Sequence, residues 1–240
     1  MKIIEPVAIF HSPFSSKFGI PRQSGLVDEL TGRIVLEPKF RNPNALRGLS
    51  DFDYLWLIWG FSANEPKENQ SINTQHSTLH TPHSTINSPF HPTVRPPRLG
   101  GNERIGVFAS RSPFRPNGLG LSSVKLIDIE KTDIIVGGAD LMDGTPIYDI
   151  KPYLPYVDAH TEARGGFTDQ RQWQKLDVVI PHSIRQRLSD KQASELSNVL
   201  SLDPRPHYQN DPNRIYGMPF GGHDVRFKVE GNILTIVEII

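Results

Sequence analysis

The sequence predicts a mainly β protein: an antiparallel β-barrel followed by a small α+β C-terminal domain. Three observations predict it. Short runs rich in branched and apolar residues recur at 3–10, 33–36, 121–129, 134–136, 225–229 and 233–240, and those at 3–10 and 121–129 alternate apolar with polar in the way a strand does. Successive runs have no regular helix between them, which removes the crossovers that a parallel sheet requires. Proline and glycine cluster at Pro152–Pro155 and Gly165–Gly166, marking a boundary between a domain at 1–156 and one at 157–240.

In chain order, Ile3 to Phe10 reads as a strand, with Pro6 at an edge or bulge. Thr31-Gly32 reads as a turn before a short strand, Arg33 to Leu36, and Asn44 as the cap of a single helical turn. Phe52 to Phe61 is the most apolar run of the chain. Its aromatic and branched content favours a strand buried on both faces, with two of the three tryptophans as core rather than a stacking platform. Leu121 to Ile129 and Ile134 to Val136 pair as a hairpin about Lys131-Thr132-Asp133, and Asp143-Gly144 is a turn, read as a hairpin tip. Beyond the boundary come a strand at Leu176 to Ile180, a helix from the capping box Ser189-Asp190-Lys191-Gln192 to about Leu200, and a hairpin about Gly231-Asn232.

The 240 residues carry no net charge and no cysteine, which excludes disulfides, thiolate metal sites and cysteine nucleophiles and fits a cytoplasmic protein. No run approaches the length of a membrane span, and the first residues lack an apolar signal core. Neutrality argues against a general nucleic-acid coat, so any contact with RNA or DNA comes from a patch. Residues 62–92 are rich in Ser, Thr, Asn, Pro and His and too polar to offset their ordering entropy; they read as a mobile loop or lid. His76, His80 and His83 have the spacing of a zinc-binding helical face, but Pro82 and the surrounding Ser and Thr disfavour the helix.

One stretch has the composition of a site. Arg95 to Leu121 holds five arginines against the single acid Glu103, a local balance of +4, among four prolines and five glycines. Only Arg104 to Ser110 alternates like a strand, so the stretch reads as two stiff loops about a short strand. Guanidinium forks at set positions suit carboxylate, phosphate or a base face; solvated surface arginines are the plain alternative. Pro21-Arg22-Gln23 fits either a ligand loop or an ordinary surface loop. Asp140, Asp143 and Asp149 fit either solvated acids or partners for an ammonium, a sulfonium or ribose hydroxyls. The chain has no G-x-G-x-x-G after a strand, no P-loop, no H-E-x-x-H and no G-x-S-x-G; Ser110 and Ser112 beside arginines would need a histidine and an acid from elsewhere to act as nucleophiles.

Ser12-Pro13-Phe14, Pro21-Arg22-Gln23, Tyr54-x-Trp56-Leu57, R-P-P-R-L-G-G (95–101), G-V-F-A-S-R-S-P-F-R-P-N (106–117), D-L-M-D-G-T-P (140–146), D-I-K-P-Y-L-P (149–155) and D-P-R-P-x-Y (203–208) follow one another in this order. With them the chain closely resembles the TsaA-like (YaeB-type, TrmO) family of S-adenosylmethionine-dependent tRNA methyltransferases. The resemblance implies a single-sheet TsaA-like β-barrel, usually homodimeric, that methylates N6 of threonylcarbamoyladenosine at position 37 in the anticodon loop of tRNA. It places cofactor contacts on Pro21, Arg22, Gln23, Arg111, Leu121, Asp143, Gly144, Thr145 and Pro146. Where many relatives carry a histidine after the apolar strand, this chain has Ser62-Ala63, a departure that bears on the contact expected there. Arg95, Arg98, Arg115 and Arg205 would meet tRNA, and Asp203 or Tyr208 would take the N6 proton. A non-catalytic S-adenosylmethionine- or RNA-binding module of the same fold is the alternative.

Overall fold

A computed structural model describes residues 3–62, 90–96, 103–169, 174–205 and 211–240. Six strands close a barrel: β1 (Ala8–His11), β2 (Thr31–Leu36), β3 (Tyr54–Gly60), β6 (Leu119–Glu130), β7 (Asp133–Gly137) and β8 (Thr145–Pro152), in the cyclic order β1-β2-β7-β6-β3-β8. Every neighbouring pair is antiparallel. Closure leaves no open edge, which lets a barrel this small keep short strands. Its interior is filled by alternate residues, among them Phe10, Ile34, Leu55, Leu57, Val136 and Ile147.

A second sheet lies in the C-terminal part, with order β10 (Tyr216–Phe220), β11 (His223–Glu230), β12 (Ile233–Ile239) and β9 (Asp177–Val179), the last pair parallel. Short helices α1 (Pro155–Asp158) and α2 (His182–Arg185) precede α3 (Asp190–Ser201). The predicted capping box of α3 is present: Ser189 accepts from the backbone of Gln192, and Gln192 reaches back to Ser189. Leu196, Val199 and Leu200 press α3 onto this sheet, and Phe14, Val27 and Leu30 from the β1–β2 connection join the same core. Glu195 of α3 is nearly buried and accepts from the backbone and hydroxyl of Thr31, at 3.4 and 3.2 Å. The β1–β2 connection therefore sits between barrel and C-terminal sheet and is held from both sides.

Several local expectations are corrected. Thr31-Gly32 is not a turn but the start of β2; Gly32 is small because a Cβ there would lie 2.2 Å from the Phe10 ring. Asn42, not Asn44, caps the short 3₁₀ turn Pro43–Leu46. The apolar strand β3 is not buried on both faces: Leu55, Leu57 and Trp59 point inward, while Tyr54, Trp56 and Ile58 keep some exposure. Barrel closure gives each strand an inside and an outside, and the outer face of β3 is covered only in part, as where Trp56 Nε1 donates to Asp158 at 2.9 Å. Arg104 to Ser110 holds only the two-residue strand β5 (Ile105–Gly106), paired with β4 (Thr93–Val94), and then a 3₁₀ turn. Asp143-Gly144 turns the chain into β8, which pairs with β1 and β3 instead of folding back on β7.

Candidate active site

Register alone gathers the site. His11 of β1 faces Arg33 near the start of β2, Gly60 of β3 faces Leu119 of β6, and Gly137 of β7 faces Thr31 of β2. Three long connections therefore leave the barrel at one rim: 12–30, 61–118 and 138–144. Chemistry on loops at one end of a rigid barrel is the usual arrangement of a binding site. These connections hold Pro21–Gln23, Ser62, Arg95, Arg111, Arg115, Asp143 and Gly144; Leu121, Thr145 and Pro146 lie on strands just inside the rim.

A polar chain runs inward from the middle of this rim. Trp59 Nε1 donates to Ser122 Oγ at 2.9 Å, and Ser122 Oγ donates to Asp140 at 2.5 Å. Ser122 and Trp59 are buried, which fixes the hydroxyl between ring and carboxylate. Burial pushes the Asp140 carboxyl above the ordinary carboxylate range; hydrogen bonds from Ser122 and from backbone, including that of Ser24, and the positive charge of Arg111 oppose this. Arg111 in turn donates to Gln23 Oε1 at 2.5 Å, and Gln23 Nε2 donates to the Arg22 carbonyl at 2.5 Å. One cluster thus unites Gln23 and Arg111 with Asp140. Pattern alone grouped Asp140 with Asp143 and Asp149, and the resemblance singled out only Asp143; Asp140 is distinguished by its position beside Ser122, whereas Asp149 pairs with Lys151 on β8.

A second cluster forms around Asp143. Its Oδ1 lies 3.1 Å from His11 Nδ1 and accepts from the Ser12 backbone at 3.2 Å. Asp143 N–H and Gly144 N–H donate to the Phe14 and Phe10 carbonyls, both at 2.8 Å. Gly144 has φ +78°, a left-handed conformation that favours glycine. Thr145 is buried, its hydroxyl donating to the Met142 carbonyl. Asp143, Ser12 and Pro13 line a cleft of about 500 Å³ against Gly221, His223 and Asp224 of the C-terminal sheet.

The remaining residues separate. Pro146 lies close to Gly60, where an added Cβ would stand 3.3 Å from the proline ring, so Pro146 and Ser62 share one end of β3. Leu121 points outward and is 56% exposed. Arg95 is exposed after β4. Arg115 spends donors within its own loop, on the carbonyls of Ser110 at 2.7 Å and Val107 at 3.4 Å. Asp203 and Arg205 lie beyond α3 and grip each other through two bonds, 2.8 and 2.9 Å. Asp203 adopts φ +51°, just past the helix end. Each Asp203 oxygen accepts from Arg205, so the pair braces the loop after α3. Ala63, Arg98 and Tyr208 lie outside the described residues, as do His76, His80, His83 and nearly all of the polar segment 62–92. Among the described residues no group of three or more His, Asp or Glu could hold a metal ion.

Comparison with known proteins agrees over both parts of the chain. Residues 9–159 match the family model "tRNA-methyltransferase O N-terminal domain" and residues 173–240 the "TrmO C-terminal domain". A Pseudomonas aeruginosa protein named a putative S-adenosylmethionine-dependent methyltransferase is 37% identical, covering 93% of this chain and 91% of its own. The Escherichia coli tRNA (adenine(37)-N6)-methyltransferase is 34% identical, covering 94% and 92%. The crystal structure of TrmO from Pseudomonas aeruginosa superposes with a TM-score of 0.76 at 28% identity, over 100% of this chain and 98% of that one.

Proposed function

The chain belongs to the tRNA-methyltransferase O family, and from that premise we infer that it is an S-adenosylmethionine-dependent methyltransferase acting on tRNA near position 37. The substrate atom in this reading is N6 of threonylcarbamoyladenosine in the anticodon loop. The observation that carries the site is the shared rim, with Arg111, Gln23 and Asp140 joined in one polar cluster.

The residues present fit the cofactor. A zwitterionic ligand bearing a sulfonium needs a cationic fork for its carboxylate and anionic groups for its positive centres. Arg111 is exposed and supplies the first, and the exposed Asp143 supplies the second, while the partly buried Asp140 lies behind Arg111. Arg22 and Gln23 follow the buried Pro21, which limits how far their loop can shift. When bound, S-adenosylmethionine would supply an electrophilic methyl: the N6–C bond would form as the S–C bond breaks, the thioether would leave with the sulfur's electron pair, and the N6 proton would pass to solvent water. In-line displacement of this kind asks the protein chiefly for position and charge. Gln23 and Arg111 orient one end of the ligand, and Asp143 with the Gly144–Pro146 turn holds the other. Arg95 meets tRNA phosphate or the threonyl carboxylate.

Homodimeric assembly, implied by the family resemblance, belongs to the same reading. No helix of the described residues is long and apolar enough to cross a membrane, and a tRNA substrate fits a cytoplasmic site of action.

Calorimetry with S-adenosylmethionine, paired with a labelled-methyl assay on tRNA carrying threonylcarbamoyladenosine, tests the reading. Stoichiometric binding and incorporation into that tRNA, but not into tRNA with plain adenosine at 37, is the expected result. Binding without incorporation into either tRNA would replace it with a non-catalytic module.

A further inference from the structure

The arginine loop has a second face. Phe108 is 71% exposed, Phe114 65% and Phe90 57%, more than isolated surface aromatics need. Phe90 and Phe108 stack with ring centroids 6.2 Å apart and planes 28° apart. The Arg115 guanidinium lies 5.8 Å from the Phe108 ring centre, held there by its bonds to the Ser110 and Val107 carbonyls. Val107 itself is fully buried, so the ring beside it rises from an anchored backbone. Arg111, on the same turn of chain, reaches the Gln23 and Asp140 cluster. One short loop thus links the proposed cofactor end to an open aromatic surface ringed by cations.

We propose that Phe90 and Phe108, with Arg115, form a stacking platform for an unpaired nucleobase of the anticodon loop flanking the methylated purine. The proposal rests on the tRNA reading above and adds the residues that would seat the RNA. Unpaired bases present π-faces that aromatic rings and guanidinium planes accept, while arginines meet the backbone. Arg95 directly follows β4 and Arg104 directly precedes β5, so the antiparallel register sets both exposed arginines at the same end of the pair, and Glu103 is the only acid between 95 and 121. The same charge disfavours a second copy on this surface, because a two-fold contact would set these arginines against themselves.

The experiment compares wild type with Phe108→Ala, Phe108→Trp and Phe90→Ala, using an anticodon stem-loop RNA carrying threonylcarbamoyladenosine. Phe108→Ala should weaken RNA binding about five- to a hundred-fold, the range for loss of one stacked base, and Phe108→Trp should restore it. Cofactor affinity by calorimetry and mass by sedimentation should stay at their wild-type values. RNA affinity within twofold of wild type for both alanine variants overturns the platform. Loss of cofactor binding would instead assign Phe108 to the donor site, and a fall in mass would assign it to a self-interface; either overturns the proposal. If wild type itself neither binds nor methylates the RNA, the underlying tRNA reading is what fails.

Discussion

Arg111 donates to Gln23 Oε1 at 2.5 Å across 88 positions of sequence, fastening the loop after β5 to the loop after β1. Both loops leave the same rim, so this bond closes the site laterally. Arg111→Ala should weaken S-adenosylmethionine binding about ten- to a hundred-fold, the range for losing a charge-assisted hydrogen bond to a ligand. Arg111→Lys should recover only part, because an ammonium lacks the fork. Arg95→Ala should leave cofactor binding intact and lower tRNA affinity with a shallower salt dependence. Calorimetry and RNA-binding titrations at several salt concentrations check both, and equal effects of the two alanine variants on both ligands would sink this division of labour.

Asp140 gives a pH signature. Burial raises its folded-state value above the ordinary carboxylate range. A group raised in this way contributes stability below its unfolded value, about 3.9, and loses that contribution as pH rises through the folded value. Asp140→Asn removes the titration while keeping an acceptor for Ser122. The variant should therefore gain on wild type in thermal midpoint as pH climbs out of the acid range. A difference that stays flat from about pH 4 to 8 would mean that Asp140 does not titrate as its surroundings dictate.

The bidentate pair of Asp203 and Arg205 separates structural from catalytic roles. Arg205→Ala and Asp203→Ala should each cost about 1–3 kcal/mol of stability, and the double variant less than their sum. Asp203→Asn should retain turnover at temperatures where the protein stays folded. A collapse of kcat with unchanged stability would return Asp203 to the role of proton acceptor.

Glu195 is the buried acceptor between α3 and β2. Glu195→Ala leaves Thr31 without its acceptor and should cost about 1–3 kcal/mol, read as a lower urea midpoint. Ser189→Ala, which removes only the α3 cap, should cost about 1 kcal/mol and serves as the reference for a local loss.

The strands were legible in the sequence where alternation had room to show. The β6–β7 and β11–β12 hairpins and the capped α3 lie where pattern and turn chemistry put them, because periodicity and caps are local properties. The sequence by itself also determined the motifs that carry the family, and through them the chemistry of methyl transfer to tRNA. Tertiary structure decided what depends on closure. Six antiparallel strands joined in a ring bring residues 12–30, 61–118 and 138–144 to one rim, a juxtaposition no local pattern encodes. Closure also decided which of three acids is enclosed, since Asp140 meets Ser122 only when the end of β7 passes beside β6. Gly32, spelled like a turn, turned out to make room for Phe10. Side-chain packing across a barrel is set by register between strands distant in sequence, and register is fixed only when the ring shuts.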